Sequence, residues 1–202
     1  MSMKIIGITG GIASGKSTVK EMLIGMSYIV IDSDAIAASL LEIGKDQYNE
    51  IVKSFGKEVL MPNKEINRKK LADIIFHNDK KKLLLNGIVH PEVKRIIRLE
   101  LEYYEKLGVK LIFVDVPLLY EANFESVFDK IIVVYVDVDT QVQRLLWRDR
   151  ITPEYALAKI SSQMPLEEKK ERADFVIDNS LSIITTKKAL TDILEEINKE
   201  IE

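Results

Sequence analysis

Cysteine is absent from the chain, which excludes a disulfide framework and a thiolate metal site. A basic excess is absent too: 29 Lys and Arg stand against 32 Asp and Glu, a net charge of −3. The short runs Arg68-Lys69-Lys70 and Lys80-Lys81-Lys82 read as solvated faces, so the charge pattern argues against a general nucleic-acid or membrane-surface binder. No apolar run approaches the roughly 20 residues of a membrane span. The first residues lead straight into a strand pattern without the regions of a signal peptide. Internal repeats, low-complexity tracts and flexible linkers are missing as well. What remains is an ordinary globular composition, 47% hydrophobic and 30% charged over 202 residues, enough for a substantial core in one domain with insertions. The expectation is a cytoplasmic enzyme with no nucleic-acid or membrane partner, a monomer or small homo-oligomer.

What is present is concentrated in Gly10-Gly11-Ile12-Ala13-Ser14-Gly15-Lys16-Ser17, which fits the P-loop pattern G-x-x-x-x-G-K-[ST] at every required position. Ile5, Ile6 and Ile8 before it form a short buried strand. Val19, Met22, Leu23 and Met26 after it fall at helical spacing, so the order is strand, loop, helix. Glycines at 10 and 15 are expected to let the backbone approach a phosphate chain and to take positive φ. Successive N–H groups and the helix N-terminus would then form an anion cradle. Lys16 is expected to reach the β- and γ-phosphates, and the Ser17 hydroxyl to ligate Mg²⁺.

Tyr28 to Ile31 read as a second strand ending in Asp32-Ser33-Asp34, carboxylates at the edge where open α/β sheets bind ligands. Helix capping is the alternative, since Ile36, Ala37, Leu40 and Leu41 continue at helical spacing. From about Asp34 to Leu107 the pattern is helical almost throughout, with stripes at Tyr48, Ile51, Val52 and Phe55, at Leu71, Ile74 and Ile75, and at Val93, Ile96, Ile97 and Leu101. Parallel strands need only a short crossover helix, so about seventy residues imply an inserted helical subdomain, about 34–108, suited to hold a second substrate. Asn67 and Asn78-Asp79 read as helix starts, and His90-Pro91 as another with Pro91 at the first helical position. Leu111 to Val116 form a third buried strand carrying Asp115 near its end, the place of the second acidic element that holds Mg²⁺ in P-loop enzymes. Ile131 to Val136 form a fourth. Arg144, Arg148 and Arg150 then suit a phosphate-covering lid at about 139–166; the alternative is an exposed helix on which Asp149 neutralises its neighbours. Thr152-Pro153-Glu154 signals another helix start. Phe175 to Ile177 form a fifth strand leading to Asp178-Asn179-Ser180, and the last helix has a core stripe at Leu190, Ile193, Leu194, Ile197 and Ile201.

Ile8 through Thr18, Val30-Ile31-Asp32-Ser33-Asp34, Asn67-Arg68 with Leu71 and Ile75-Phe76, His90-Pro91, Pro117-Leu118-Leu119 with Glu121, Gln141 with Arg144 and Arg148-Asp149, Gln163, and Ala173-Asp174 leading to Ile177-Asp178-Asn179 together resemble the dephospho-coenzyme A kinases. These are P-loop kinases of the nucleoside monophosphate kinase-like group. The resemblance runs from about Ile5 to Asn179. It implies an α/β three-layer P-loop kinase fold with a five-stranded parallel sheet, a helical CoA-binding insertion and a lid, all within one domain spanning 1–202. It further implies phosphorylation of the ribose 3′-hydroxyl of dephospho-CoA by ATP with Mg²⁺. It places ATP at Gly10, Gly11, Ile12, Ala13, Ser14, Gly15, Lys16, Ser17, Thr18, Arg148 and Asn179. Dephospho-CoA falls at Asp32, Asp34, His90, Pro117 and Leu118, and Mg²⁺ at Ser17 and Asp115. The catalytic groups it implies are Asp34, Arg144 and Lys16. Spacing alone leaves the choice between Asp32 and Asp34 as base open, because alternate residues of an extended strand face one side; the resemblance selects Asp34. Ala13, Ser33 and Ala38 depart from the glycine, alanine and arginine usual in the family, and Ala38 removes a possible anion contact.

Two other readings share parts of this pattern. Another small-molecule P-loop kinase, such as a nucleoside monophosphate kinase, would have the same core, and the insertion with His90-Pro91 speaks against it. A GTP-dependent switch would need an Asn/Thr-Lys-x-Asp motif, and Asn63-Lys64-Glu65-Ile66 lacks the final Asp.

Overall fold

The apolar runs become strands β1 (Lys4–Gly10), β2 (Val30–Asp32), β3 (Leu111–Asp115), β4 (Lys130–Tyr135) and β5 (Phe175–Asp178) of one parallel sheet with the order β2-β3-β1-β4-β5. They alternate with helices α1 (Lys16–Gly25), α2 (Ser33–Leu40), α3 (Asp46–Phe55), α4 (Arg68–Phe76), α5 (Asp79–Lys106), α6 (Val138–Asp149), α7 (Pro153–Ser161), α8 (Leu166–Glu171) and α9 (Ile183–Lys199). This is a computed structural model, and it describes residues 3–76 and 78–201. The chain divides into two compact units, one running through Asp32 and resuming at Tyr104, the other Ser33–Tyr103.

In the first unit the strands are continuous apolar runs because both faces of the sheet are covered. One face sets Ile6, Ile8, Phe113, Ile132, Val134 and Ile177 against Val19 and Leu23 of α1 and Leu190, Ile193, Leu194 and Ile197 of α9. On the other, Ile112, Val114, Ile131 and Val133 are buried, and Leu119 and Phe128 from the segment after β3 close over Gly7. Tyr28 lies before β2, not in it, and stands edge-on to Phe113 at 5.3 Å. The closing helix buries the expected stripe, with Ile201 packed beyond its last turn.

The second unit has its own core of Leu40, Tyr48, Ile51, Phe55, Val59, Ile66, Leu71, Ile88 and Val89. Two expectations for it are corrected. Residues 57–66 are not helical: a single 3-10 turn, Lys57–Val59, leads to an antiparallel bridge between Leu60 and Ile66. Pro62 has no N–H to give a helix, and the Asn63 side chain accepts from the Glu65 N–H at 3.1 Å, a local turn that competes with helical bonding. His90-Pro91, moreover, does not begin a helix. Helix α5 starts earlier, where the Asn78 side chain accepts from the Lys81 N–H at 3.0 Å, and runs through Pro91 to Lys106. The proline ring crowds the carbonyl four residues back, and that residue is Gly87, whose backbone tilts most readily to absorb the clash. Asn67 caps α4 as expected, accepting from the Lys70 N–H at 3.0 Å. Among the described residues no helix is long and apolar enough to cross a membrane.

Candidate active site

The loop between β1 and α1 holds its shape through its carbonyls. Those of Gly11 and Gly15 accept from the N–H groups of Ser14 and Thr18 at 3.1 and 3.0 Å. The others are taken by side chains from distant parts of the chain. Lys169 of α8 donates to Gly10 at 3.3 Å, Gln141 of α6 to Ile12 at 2.7 Å, and Arg144 of α6 to Ala13 and Ser14 at 3.2 and 3.1 Å. Asn179, just after β5, donates to Ser14 at 2.8 Å. The Ile12 N–H is held as well, by the Gln163 side-chain oxygen at 2.9 Å. With the carbonyls engaged, the N–H groups of Gly15, Lys16 and Ser17 have no partner among the described residues. They sit at the N-terminus of α1, whose first turn leaves its donors unused and carries partial positive charge. That is an anion site.

The two motif glycines differ. Gly15 has φ 87°, as expected. Gly10 does not take positive φ; it ends β1, and a side chain there would meet the Ser14 Oγ at 2.5 Å and the Val134 carbonyl at 2.8 Å. Asn179 lies well inside contact distance of where a Gly15 Cβ would stand. Both glycines are therefore required by their protein neighbours alone. The residue forced left-handed without being glycine is Ala13, at φ 60°. Ala13→Gly should relieve that cost and stabilise the protein by up to about 1 kcal/mol, a rise in Tm of roughly 2–4 °C. Scanning calorimetry reads it, and a fall in Tm would show that the strain is not felt.

Asp32 and Asp115 are register partners at the carboxyl ends of β2 and β3. Asp115 is also in register with Ile8, whose side chain packs towards α1; the parallel pleat therefore brings both carboxylates out on the α1 face. There they meet two lysines one helical turn apart. Lys16 pairs with the Oδ1 of Asp115, and Lys20 with Asp32 at 2.6 Å and with the Oδ2 of Asp115 at 3.7 Å. Asp115 is 2% exposed, and a buried carboxylate is tolerated when paired in this way. Ser17 is exposed and Thr18 half-buried in the same turn. Lys20 was missed in the sequence, although its i,i+4 relation to Lys16 was the available signal.

The remaining candidates are distributed as follows. The carbonyl of Pro117 accepts from Thr9 Oγ1 at 3.0 Å and from Lys169 at 3.2 Å, and Leu118, half-buried, follows it in the same turn. Arg144 completes its contacts at the Asn179 carbonyl, 2.7 Å away. The Asn179 side-chain oxygen accepts from Thr186 Oγ1 at 2.8 Å. Arg148 is exposed and turned to Asp149, which also binds Lys159 at 3.0 Å; these cations, led by the Arg148 hydrogen bond, hold the Asp149 carboxyl down at about 2. In the second unit, Asp34 is an exposed residue of the first turn of α2. His90 lies mid-way along α5, and burial, with Lys94 adding to it, lowers its pKa. The imidazole is therefore neutral at pH 7 and offers one donor and one acceptor.

Comparison with known proteins gives the family. The sequence pattern of the dephospho-CoA kinase family matches residues 4–185. The chain is 47% identical over 194 residues to a dephospho-CoA kinase of Bacillus cereus, covering 96% of this chain and 97% of that one. In structure it is similar to TT1252 from Thermus thermophilus, with a TM-score of 0.82 at 34% identity over 98% and 99% of the two chains. It is also similar to the dephospho-CoA kinase from Campylobacter jejuni, with a TM-score of 0.71 at 30% identity over 97% and 98%. A phosphate-binding loop, a paired-carboxylate edge and these matches along the whole chain lead to one conclusion: the chain belongs to the dephospho-CoA kinase family.

Proposed function

We propose that this protein transfers the γ-phosphoryl group of ATP to the ribose 3′-hydroxyl of dephospho-CoA, giving CoA, the last step of coenzyme A biosynthesis. The observation that carries the reading is the loop Gly10–Ser17, with its carbonyls tied outward and its helix-terminal N–H groups unused, beside the lysine-paired carboxylates of Asp32 and Asp115. The triphosphate binds there. Lys16 and Arg144 bear on the charge of the transferring group, and Asp34 orients the acceptor hydroxyl and takes its proton. Thr18 and Arg148 border the nucleotide. Asp32, Pro117 and Leu118 of the first unit and His90 of the second are the further residues we assign to dephospho-CoA.

The residues fit Mg²⁺. Ser17 and Asp115 would supply hard oxygen atoms of the kind Mg²⁺ takes. When bound, it neutralises phosphate charge during transfer.

The test is product formation from ATP with dephospho-CoA, AMP, UMP or TMP as acceptor, read by mass spectrometry. CoA is the expected product. Turnover of a nucleoside monophosphate without turnover of dephospho-CoA would replace this reading with that of a nucleoside monophosphate kinase.

A further inference from the structure

We propose that Lys169 is a positioning residue for the phosphate loop: its buried ammonium group fixes the Gly10 carbonyl and with it the first peptide of the loop. The inference rests on the reading of Gly10–Ser17 as the ATP-phosphate site. Lys169 is 0% exposed, and a buried charge persists only where it is paired and hydrogen-bonded. An ammonium group has three donors, and Lys169 places them on three acceptors: the Gly10 carbonyl at 3.3 Å, the Pro117 carbonyl at 3.2 Å and Glu121 Oε1 at 2.9 Å. Glu121 Oε1 accepts in addition from the Met164 N–H at 3.0 Å, so the same carboxylate anchors the turn that leads into α8.

The consequence follows from peptide geometry. In a planar trans peptide the C=O and the next N–H point in opposite directions. Holding the Gly10 carbonyl against α8 therefore sets the direction of the Gly11 N–H and the point at which the chain leaves β1 for the loop. Lys169 touches no substrate atom in this scheme. Loss of its ammonium group falls unequally on its partners: Pro117 keeps the Thr9 hydroxyl at 3.0 Å, whereas Gly10 loses its side-chain donor. The expected defect is accordingly in ATP binding rather than in acceptor binding.

The variant that isolates this effect is Lys169→Met with Glu121→Gln, which removes both charges and leaves no unpaired ion inside. Affinity for ATP is read by titration calorimetry without any acceptor, and steady-state kinetics give the KM for dephospho-CoA. The expected result is an ATP Kd raised about tenfold or more, with a near-parental KM for dephospho-CoA and a melting temperature close to the parent's. Glu121→Gln alone leaves the ammonium group inside without its counter-ion and should lower the melting temperature. A parental Kd in the double variant overturns the proposal, and so does a KM for dephospho-CoA that rises as much as the ATP Kd. If the double variant does not fold, Lys169→Gln takes its place under the same criteria. Because ATP binding is measured without acceptor, an error in the acceptor assignment and an error about Lys169 give different results.

Discussion

Asp34→Asn is expected to lower kcat by about 10² to 10⁴-fold, the range for loss of a positioned proton acceptor. Its melting temperature should move little. The side chain is exposed in the first turn of α2, where an acidic residue contributes roughly 0.3–1 kcal/mol through the helix dipole. Asp32→Asn should behave differently. Asp32 is paired with Lys20, and neutralising it removes one of the carboxylate charges beside that lysine, so the variant should act through the charge balance around the phosphates and recover in part as Mg²⁺ is raised. Kinetics of both variants across a Mg²⁺ titration, with thermal melts as the control, separate the two. Near-parental kcat in Asp34→Asn together with an inactive Asp32→Asn at every Mg²⁺ concentration would exchange the roles.

Arg144→Lys is the second large effect, with kcat reduced by roughly 10²-fold or more, since arginines acting on a transferring phosphoryl are worth about 10³ to 10⁵. The observed contacts add a second consequence. The guanidinium bridges the carbonyls of Ala13, Ser14 and Asn179, and a lysine, with one compact ammonium, cannot span them. The KM for ATP should therefore rise as well, alongside the fall in kcat. A variant with altered KM and unaltered kcat would restrict Arg144 to holding the loop and remove it from the transition state.

The parts of this structure that were legible in the sequence are those written locally. Parallel strands buried on both faces appear as short apolar runs, and β1, β3, β4 and β5 were found within a residue or two for that reason. Asn67, Asn78 and Thr152 announce helices because a capping side chain acts within three residues of itself. Pro91 misled because the same local rule ignores what lies four residues before it. The strand order has no local signature. Neither has the ring of donors around the loop: Gln141 reaches Ile12 across 129 positions and Asn179 reaches Ser14 across 165. Lys169 belongs to the same class, a lysine that in sequence is indistinguishable from the exposed Lys170 beside it. A side chain that serves a distant carbonyl leaves no periodicity.

Gln141 and Arg144 stand near the beginning of the segment 139–166 and Gln163 near its end, and all three are bonded to residues 12–14. The segment is thus an arch with both feet on one foundation. While those bonds hold, it cannot swing as a door on a single hinge, and at the crown the Asp149–Lys159 ion pair ties the end of α6 to α7. On the proposed reading the ATP phosphates would share that foundation, so a disturbance at Ile12 would be felt at once in the seat of the triphosphate and in the span above it.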